Sequence, residues 1–230
     1  MSRKSLIALI IMTLIAVSSS AETIRIGKTD CLLQPSAETD STKKYVLFVG
    51  SAEYFNACSS CKDIMAHDGD LLIPQGNGER VLCSAASDEV IRDIRPTLLS
   101  WAADGYEMIL IGYSAGGYPA TTLASQLAEE GYNGRLYLLD GVSGAYKSTY
   151  FNESYYRNHL ATWDITIYAS SDRYVHISER TRRIGSELAD DENVIYHRYK
   201  LNHEGMKLFY NVIMNGVEAP EPVPEQISMP

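Results

Sequence analysis

The chain lacks several things that would narrow its role. Beyond residue 17 no apolar run is long enough to cross a bilayer, which takes about 20 residues. Basic residues are in the minority, 20 Lys and Arg against 29 Asp and Glu, for a formal charge of −9. Such a surface repels phosphates, which argues against nucleic acid and anionic membranes as partners. There is no internal repeat. Histidines number five. The one near several acids, His67 beside Asp63, Asp68 and Asp70, reads as a solvated acidic turn rather than a metal site. Neither metal nor cofactor is expected.

Cysteine is also scarce. Cys31, Cys58, Cys61 and Cys83 are the full set. In an exported chain they read most simply as two disulfides, with the three possible pairings left open. Cys58-Ser59-Ser60-Cys61 has the spacing of a redox pair or half a zinc site. The redox reading needs a thioredoxin-like βα context that is not evident, and a four-cysteine zinc site fits an oxidising compartment poorly.

The apolar run that does exist is at the start. Ser2-Arg3-Lys4 is basic, Leu6 to Val17 is apolar, and Ser18-Ser19-Ser20-Ala21 supplies small residues for cleavage. This is the pattern of a secretory signal peptide over residues 1–21, with a retained anchor as the rival reading. No cysteine stands at the cleavage point, which argues against a lipoprotein. The expected location is secreted or periplasmic, without stable membrane insertion after cleavage. Loss of Arg3 and Lys4 would leave the mature chain two units more negative. Residues 22–216 then suit one domain. Residues 217–230 contain Glu218-Ala219-Pro220-Glu221-Pro222-Val223-Pro224, a composition expected to be disordered.

Within the domain, apolar runs alternate with helical patterns. Strands are expected at Thr23–Gly27, Lys44–Val49, Leu71–Pro74, Met108–Ile111, Leu136–Leu139, Ile165–Ala169 and Val194–Leu201. Val90, Ile91, Ile94, Leu98 and Trp101 recur at helical spacing after a candidate cap at Ser87, and Pro96 is expected to kink or interrupt that helix. Further helices are expected at 115–130, 177–188 and 205–214. Strands alternating with helices predict an α/β fold, a mainly parallel doubly wound sheet with helices on both faces.

The most informative stretch is Gly112-Tyr113-Ser114-Ala115-Gly116. It joins the apolar run Met108–Ile111 to the helical pattern that follows. A serine between near glycines at a strand-to-helix corner is lifted clear of the sheet edge, and a helix start behind it offers free N–H groups. A serine hydroxyl needs a base, and the base an orienting acid. Asp172 follows the strand Ile165–Ala169, and His203 follows the last strand. Both therefore fall at carboxyl ends of parallel strands, the edge at which such folds bind ligands.

These residues, in the order serine, acid, histidine, resemble the α/β-hydrolase superfamily from about Lys44 to Met214. The resemblance implies Ser114 as nucleophile, His203 as general base and acid, and Asp172 as the group fixing the imidazole. Asp140 also ends a strand and is the competing acid. Asp172 is preferred because its loop lies directly before the histidine unit, and Asp140 is otherwise a turn or capping residue before Gly141. The backbone N–H of Ala115 would be one oxyanion donor. Ser51, in Val49-Gly50-Ser51-Ala52, would be the other, although superfamily members often carry His-Gly or a glycine run there.

Between Asp140 and Trp163 lies a tyrosine-rich segment, read as a short cap. Tyr146 and Tyr150 are candidates for a substrate wall, with Tyr113 on the floor beside the elbow; the same rings would also serve simply to pack the cap. The short segment predicts an open site, and the lack of a long apolar lid argues against a true lipase. The activity implied is cleavage of a small-molecule or polymeric carboxylic ester through an acyl-enzyme. Thioester or amide cleavage and acyl transfer use the same machinery. The competing classes are a non-catalytic hydrolase-fold binding protein and a thiol–disulfide protein using Cys58 and Cys61.

Overall fold

The computed structural model describes residues 21–38, 40–50, 66, 68–76, 84–142, 151–173 and 175–223. Among these residues eight strands form one sheet: β1 (Glu22–Ile26), β2 (Thr29–Gln34), β3 (Lys43–Val49), β4 (Gly69–Gly76), β5 (Glu107–Tyr113), β6 (Gly134–Leu139), β7 (Asp164–Ser170) and β8 (Val194–Tyr199). Their spatial order is β1-β2-β4-β3-β5-β6-β7-β8. From β4 across to β8 every pairing is parallel, while β2 runs antiparallel to both β1 and β4. The helices among the described residues are α1 (Ser84–Ala103), α2 (Gly117–Glu129), α3 (Glu153–His159), α4 (His176–Leu188) and α5 (Phe209–Asn215). Short 3₁₀ turns at Ser114–Gly116 and Glu204–Leu208 precede α2 and α5.

The central strands read as continuous apolar runs because both faces are covered. In β5, Met108 and Leu110 join the core formed with α1, α2 and α4, whereas Ile109, Ile111 and Tyr113 join the core under α5. This period of two divides every buried strand between the two layers. The expected mainly parallel sheet with helices on both faces is the architecture found.

Two local expectations change. β2 is an additional strand, paired to β1 through the Gly27-Lys28 turn, with Gly27 at φ +60°. Helix α1 begins at Ser84, before the candidate cap, and runs through Pro96 without interruption. Pro96 faces solvent, as does Arg92 one turn earlier, so the carbonyl that loses its partner there has water available. Residues 216–223 form no regular element, but the Val223 N–H donates to the Arg198 carbonyl at 2.7 Å, which lays this piece of the tail against edge strand β8.

Cys31 is a fully buried free thiol with no disulfide partner among the described residues. Burial pushes its thiol up to about 12. Cys58, Cys61 and Cys83 lie outside the described residues. No helix among the described residues is long and apolar enough to cross a membrane, and these residues contain no group of three or more potential metal ligands.

At the top of the sheet the backbone packs too closely for side chains. A Cβ on Gly112 would stand 2.6 Å from the Gly117 Cα, one on Gly117 1.6 Å from the Gly141 carbonyl oxygen, and one on Gly141 2.3 Å from the Gly112 carbonyl oxygen. Strand β5, helix α2 and the exit of β6 therefore touch through three bare backbones. Ordinarily Gly→Ala in a helix gains up to about 1 kcal/mol. At Gly117 the sign should reverse: Gly117→Ala is expected to destabilise by about 2 kcal/mol or more. Chemical denaturation measures it, and an unchanged or raised midpoint would contradict the packing described.

Candidate active site

Ser114 sits where β5 ends, with φ +54°. A left-handed conformation is unfavourable for a residue with a Cβ and persists only where the surroundings impose it. Here they do. Gly50 N–H donates to the Tyr113 carbonyl at 2.9 Å, pinning the exit of β3 to the residue before the serine. Gly116 lies against the Phe48 carbonyl, where a Cβ would be 2.0 Å away. At Gly50 a Cβ would fill the space beside two amide nitrogens, 2.3 Å from that of Ala115 and 2.2 Å from that of Gly116. The bare backbone of Gly50 thus keeps open the start of the turn where an anion would be held.

His203 follows β8 and brings its imidazole over this corner. Its Nε2 lies 2.9 Å from Ser114 Oγ. Its Nδ1 lies 2.9 Å from Asp140 Oδ2. Asp140 itself has φ +44°, which aspartate tolerates better than most residues. Its side chain is fully buried. A carboxylate in that position needs donors, and it has them. Oδ1 accepts from the Ser170 N–H at 2.8 Å, and Oδ2 accepts from the Ser178 hydroxyl at 2.7 Å as well as facing His203. Ser178, in the first turn of α4, is also 3.3 Å from His203 Nδ1.

These contacts set the tautomer. An ionised Asp140 only accepts, so the neutral imidazole carries its proton on Nδ1 and turns the Nε2 lone pair toward Ser114. The Ser114, His203 and Asp140 side chains form one continuous hydrogen-bonded line.

The preference for Asp172 as the imidazole partner is corrected. Asp172 Oδ2 accepts from the His203 backbone N–H at 3.2 Å, while the ring goes to Asp140. The Asp172 loop is tied to the exit of β8 and to α4. Ser171 N–H donates to Leu201 O at 3.0 Å, and Arg182 Nη1 donates to the carbonyls of Ser170 at 2.8 Å and Asp172 at 2.6 Å. Asp172 therefore holds the loop that carries His203, and the deeper position at the end of β6 reaches the ring. The sequence signal for Asp140 was its place before Gly141, where an aspartate tolerates a left-handed bend and the next residue must lack a side chain. Ser178 and Ser170 carried no comparable signal.

Tyr113 is also corrected. It is fully buried and stacks on the imidazole rather than lining a substrate floor, with ring centroids 5.0 Å apart and planes 25° apart. Ser51, Tyr146 and Tyr150 lie outside the described residues, and so does His67. His176 starts α4, His159 ends α3, and His197 lies on β8, none of them in the line with Ser114. The described part of the aromatic segment packs. Phe151 contacts Tyr118 at 5.6 Å and Tyr155 at 4.8 Å between centroids, Tyr156 is buried, and the Tyr155 hydroxyl bonds to Ser125 Oγ at 2.8 Å, fastening α3 to α2. Asn152 caps α3, its side chain accepting the Tyr155 N–H at 2.9 Å.

No protein-family model and no curated protein sequence matches the chain. Solved structures do. An alpha-beta hydrolase from Vibrio vulnificus superposes with a TM-score of 0.57 at 15% identity, covering 94% of this chain and 87% of its own. An esterase from Pyrobaculum calidifontis gives 0.56 at 12% identity, covering 94% and 91%. A predicted hydrolase from Thermoplasma acidophilum gives 0.52 at 14%, covering 85% and 97%. The chain has the α/β-hydrolase fold. In it the corner at Ser114 stands at the exit of β5, beside the exits of β6 and β8, which bring Asp140 and His203 to it.

The tautomer can be measured directly. At a pH where the ring is neutral, ¹⁵N NMR of His203 should show Nδ1 protonated. In Asp140→Ala the proton should shift toward Nε2, while Asp172→Ala should leave it on Nδ1. The opposite pattern would restore Asp172 as the partner of the ring.

Proposed function

We propose that this protein is a serine hydrolase that cleaves carboxylic esters through an acyl-enzyme, with Ser114 as nucleophile, His203 as general base and acid, and Asp140 as the orienting carboxylate. One observation carries the proposal. The Ser114 hydroxyl, the imidazole and a buried carboxylate are joined at 2.9 Å each, at the strand exits of an α/β-hydrolase fold. The esterase from Pyrobaculum calidifontis shares that fold, which supports the reaction class without naming a substrate.

Each step of the proposed reaction uses this placement. Nε2 takes the Ser114 proton as Oγ attacks the ester carbonyl. The resulting oxyanion lies toward the start of the 3₁₀ turn, where the Ala115 N–H is the first donor and the N–H of Ser51 is assigned as the second. Such donors are each worth about 3 to 4 kcal/mol in the transition state. The imidazolium, held by Asp140, returns its proton to the leaving alcohol. Water then enters, loses a proton to Nε2 and attacks the acyl carbonyl, and Ser114 is regenerated as the acid departs. The apolar start of the chain supports an exported location, and the first strand begins at Glu22, directly after the expected cleavage point.

A fluorophosphonate probe tests the nucleophile. The wild-type protein should label stoichiometrically, and Ser114→Ala should not label at all; an unlabelled but folded wild type would remove the proposal. Steady-state kinetics on a short-chain aryl ester tests the acid. Asp140→Asn should lower kcat by about 10³- to 10⁴-fold through the wrong tautomer. Asp172→Asn should lose about tenfold or less, since its contact is to the loop backbone. Gly50→Ala should reduce kcat by about 100-fold or more, because its Cβ would be forced against the Ala115 and Gly116 amide nitrogens and displace the turn that carries the first oxyanion donor. Retention of kcat in that variant would place the oxyanion elsewhere.

A further inference from the structure

Tyr113 is the residue before the nucleophile, and its environment is more specific than core packing requires. Its ring lies against the His203 imidazole at 5.0 Å and 25°. Tyr210 of α5 meets it edge-on at 6.2 Å, and Lys207 Nζ lies 5.5 Å from its centroid. Its hydroxyl, buried with the ring, reaches Glu204 Oε1 at 3.1 Å and the His203 carbonyl oxygen at 3.4 Å. Glu204 forms an ion pair with Lys207. Chiefly through that pair, the Glu204 carboxyl is held below its usual range, so it is an ionised acceptor for the phenol.

We infer that Tyr113 is a positioning residue for His203: its ring backs the imidazole, its hydroxyl is moored to Glu204, and its π face supports the imidazolium formed when Nε2 takes the Ser114 proton. The inference rests on the reading of Ser114 and His203 as nucleophile and base. The physics is that of a cation against an aromatic face. The ring also blocks rotation of the imidazole out of the line between Asp140 and Ser114. A displaced imidazole breaks both 2.9 Å contacts at once, so a support on its flank acts on the proton transfer and not on substrate affinity. The charged groups around the imidazole are Asp140 at the end of β6, Asp172 after β7, and Glu204 with Lys207 in the turn after His203. Tyr113 is the aromatic one among these neighbours and comes from β5.

The test uses kinetics with the full-length protein and the same aryl ester, with fluorophosphonate labelling of the wild type as the gate. If the wild type neither labels nor hydrolyses, the serine-hydrolase reading fails and this inference with it. With an active wild type, Tyr113→Leu should lower kcat roughly tenfold or more with KM within about twofold, and Tyr113→Phe should recover most of that loss. Equal kcat in Tyr113→Leu and wild type, or a loss that Phe does not rescue, would overturn the inference. Should Tyr113→Leu fail to fold, the mooring decides. Tyr113→Phe and Glu204→Ala should each cost a few-fold in kcat, and the double variant should cost no more than either alone. Additive losses would show that the hydroxyl and Glu204 act independently, and would overturn it.

Discussion

Everything at this site depends on one buried carboxylate and the donors that converge on it. Asp140 is sealed from water at the end of β6, and three donors converge on it: a backbone N–H from β7, a hydroxyl from α4 and the imidazole from the loop after β8. The desolvation cost of a carboxylate there is several kcal/mol, and hydrogen bonds to the charged form are the means of offsetting it. The requirement works in both directions. The carboxylate fixes which nitrogen of His203 holds the proton, and its need for donors fixes where β7, α4 and the His203 loop must end. A site assembled in this way is rigid before any substrate arrives, which is the condition for efficient proton transfer.

The second constraint is steric. Two residues with side chains, Ser114 and Asp140, occupy left-handed backbone conformations, and both lie beside the contact among Gly112, Gly117 and Gly141. The two facts share a cause. The bend at Ser114 starts α2 directly on top of β5, and the bend at Asp140 brings the Gly141 carbonyl against Gly117. Neither bend is favourable alone. The packing of bare backbone on bare backbone over-determines both, so strain at Ser114 and at the distant Asp140 is held by one contact.

How far the sequence was legible follows from the same geometry. The parallel sheet was legible because buried strands leave continuous apolar runs, and the corner at Ser114 because its glycines are adjacent in the chain. His203 was legible from its place after the last strand. The choice between Asp140 and Asp172 was not, because both follow strands and both reach His203; one touches the ring and the other its backbone. Proximity along the chain favoured Asp172, whereas depth in the layer decides. Tyr113 was misread for a related reason. A residue beside a nucleophile is near the site by necessity, but strand alternation turns its side chain to the face under α5, toward the imidazole and away from the elbow's open side. Strand β2 carries no such mark, because it buries polar Thr29 and Gln34 at its two ends and its apolar residues Cys31, Leu32 and Leu33 are consecutive.

A division of labour between the two acids accounts for why this chain carries both. An imidazole has two degrees of freedom that matter, the direction of its ring and the position of its backbone. Asp140 governs the first from below, through Nδ1. Asp172 governs the second from the side, through the His203 N–H, and is itself steadied because Arg182 grips the carbonyls of Ser170 and Asp172. Ser170 links the two systems, since its N–H serves Asp140 and its hydroxyl accepts from the Asp172 N–H at 3.2 Å. A movement of the loop after β7 therefore reaches the imidazole by two routes, one through the ring and one through the main chain. The hydrogen-bonded line is coupled to α4 twice, at Asp140 through Ser178 and at the loop after β7 through Arg182, so the helix is part of the site's support although it contributes neither the serine, the imidazole nor the carboxylate.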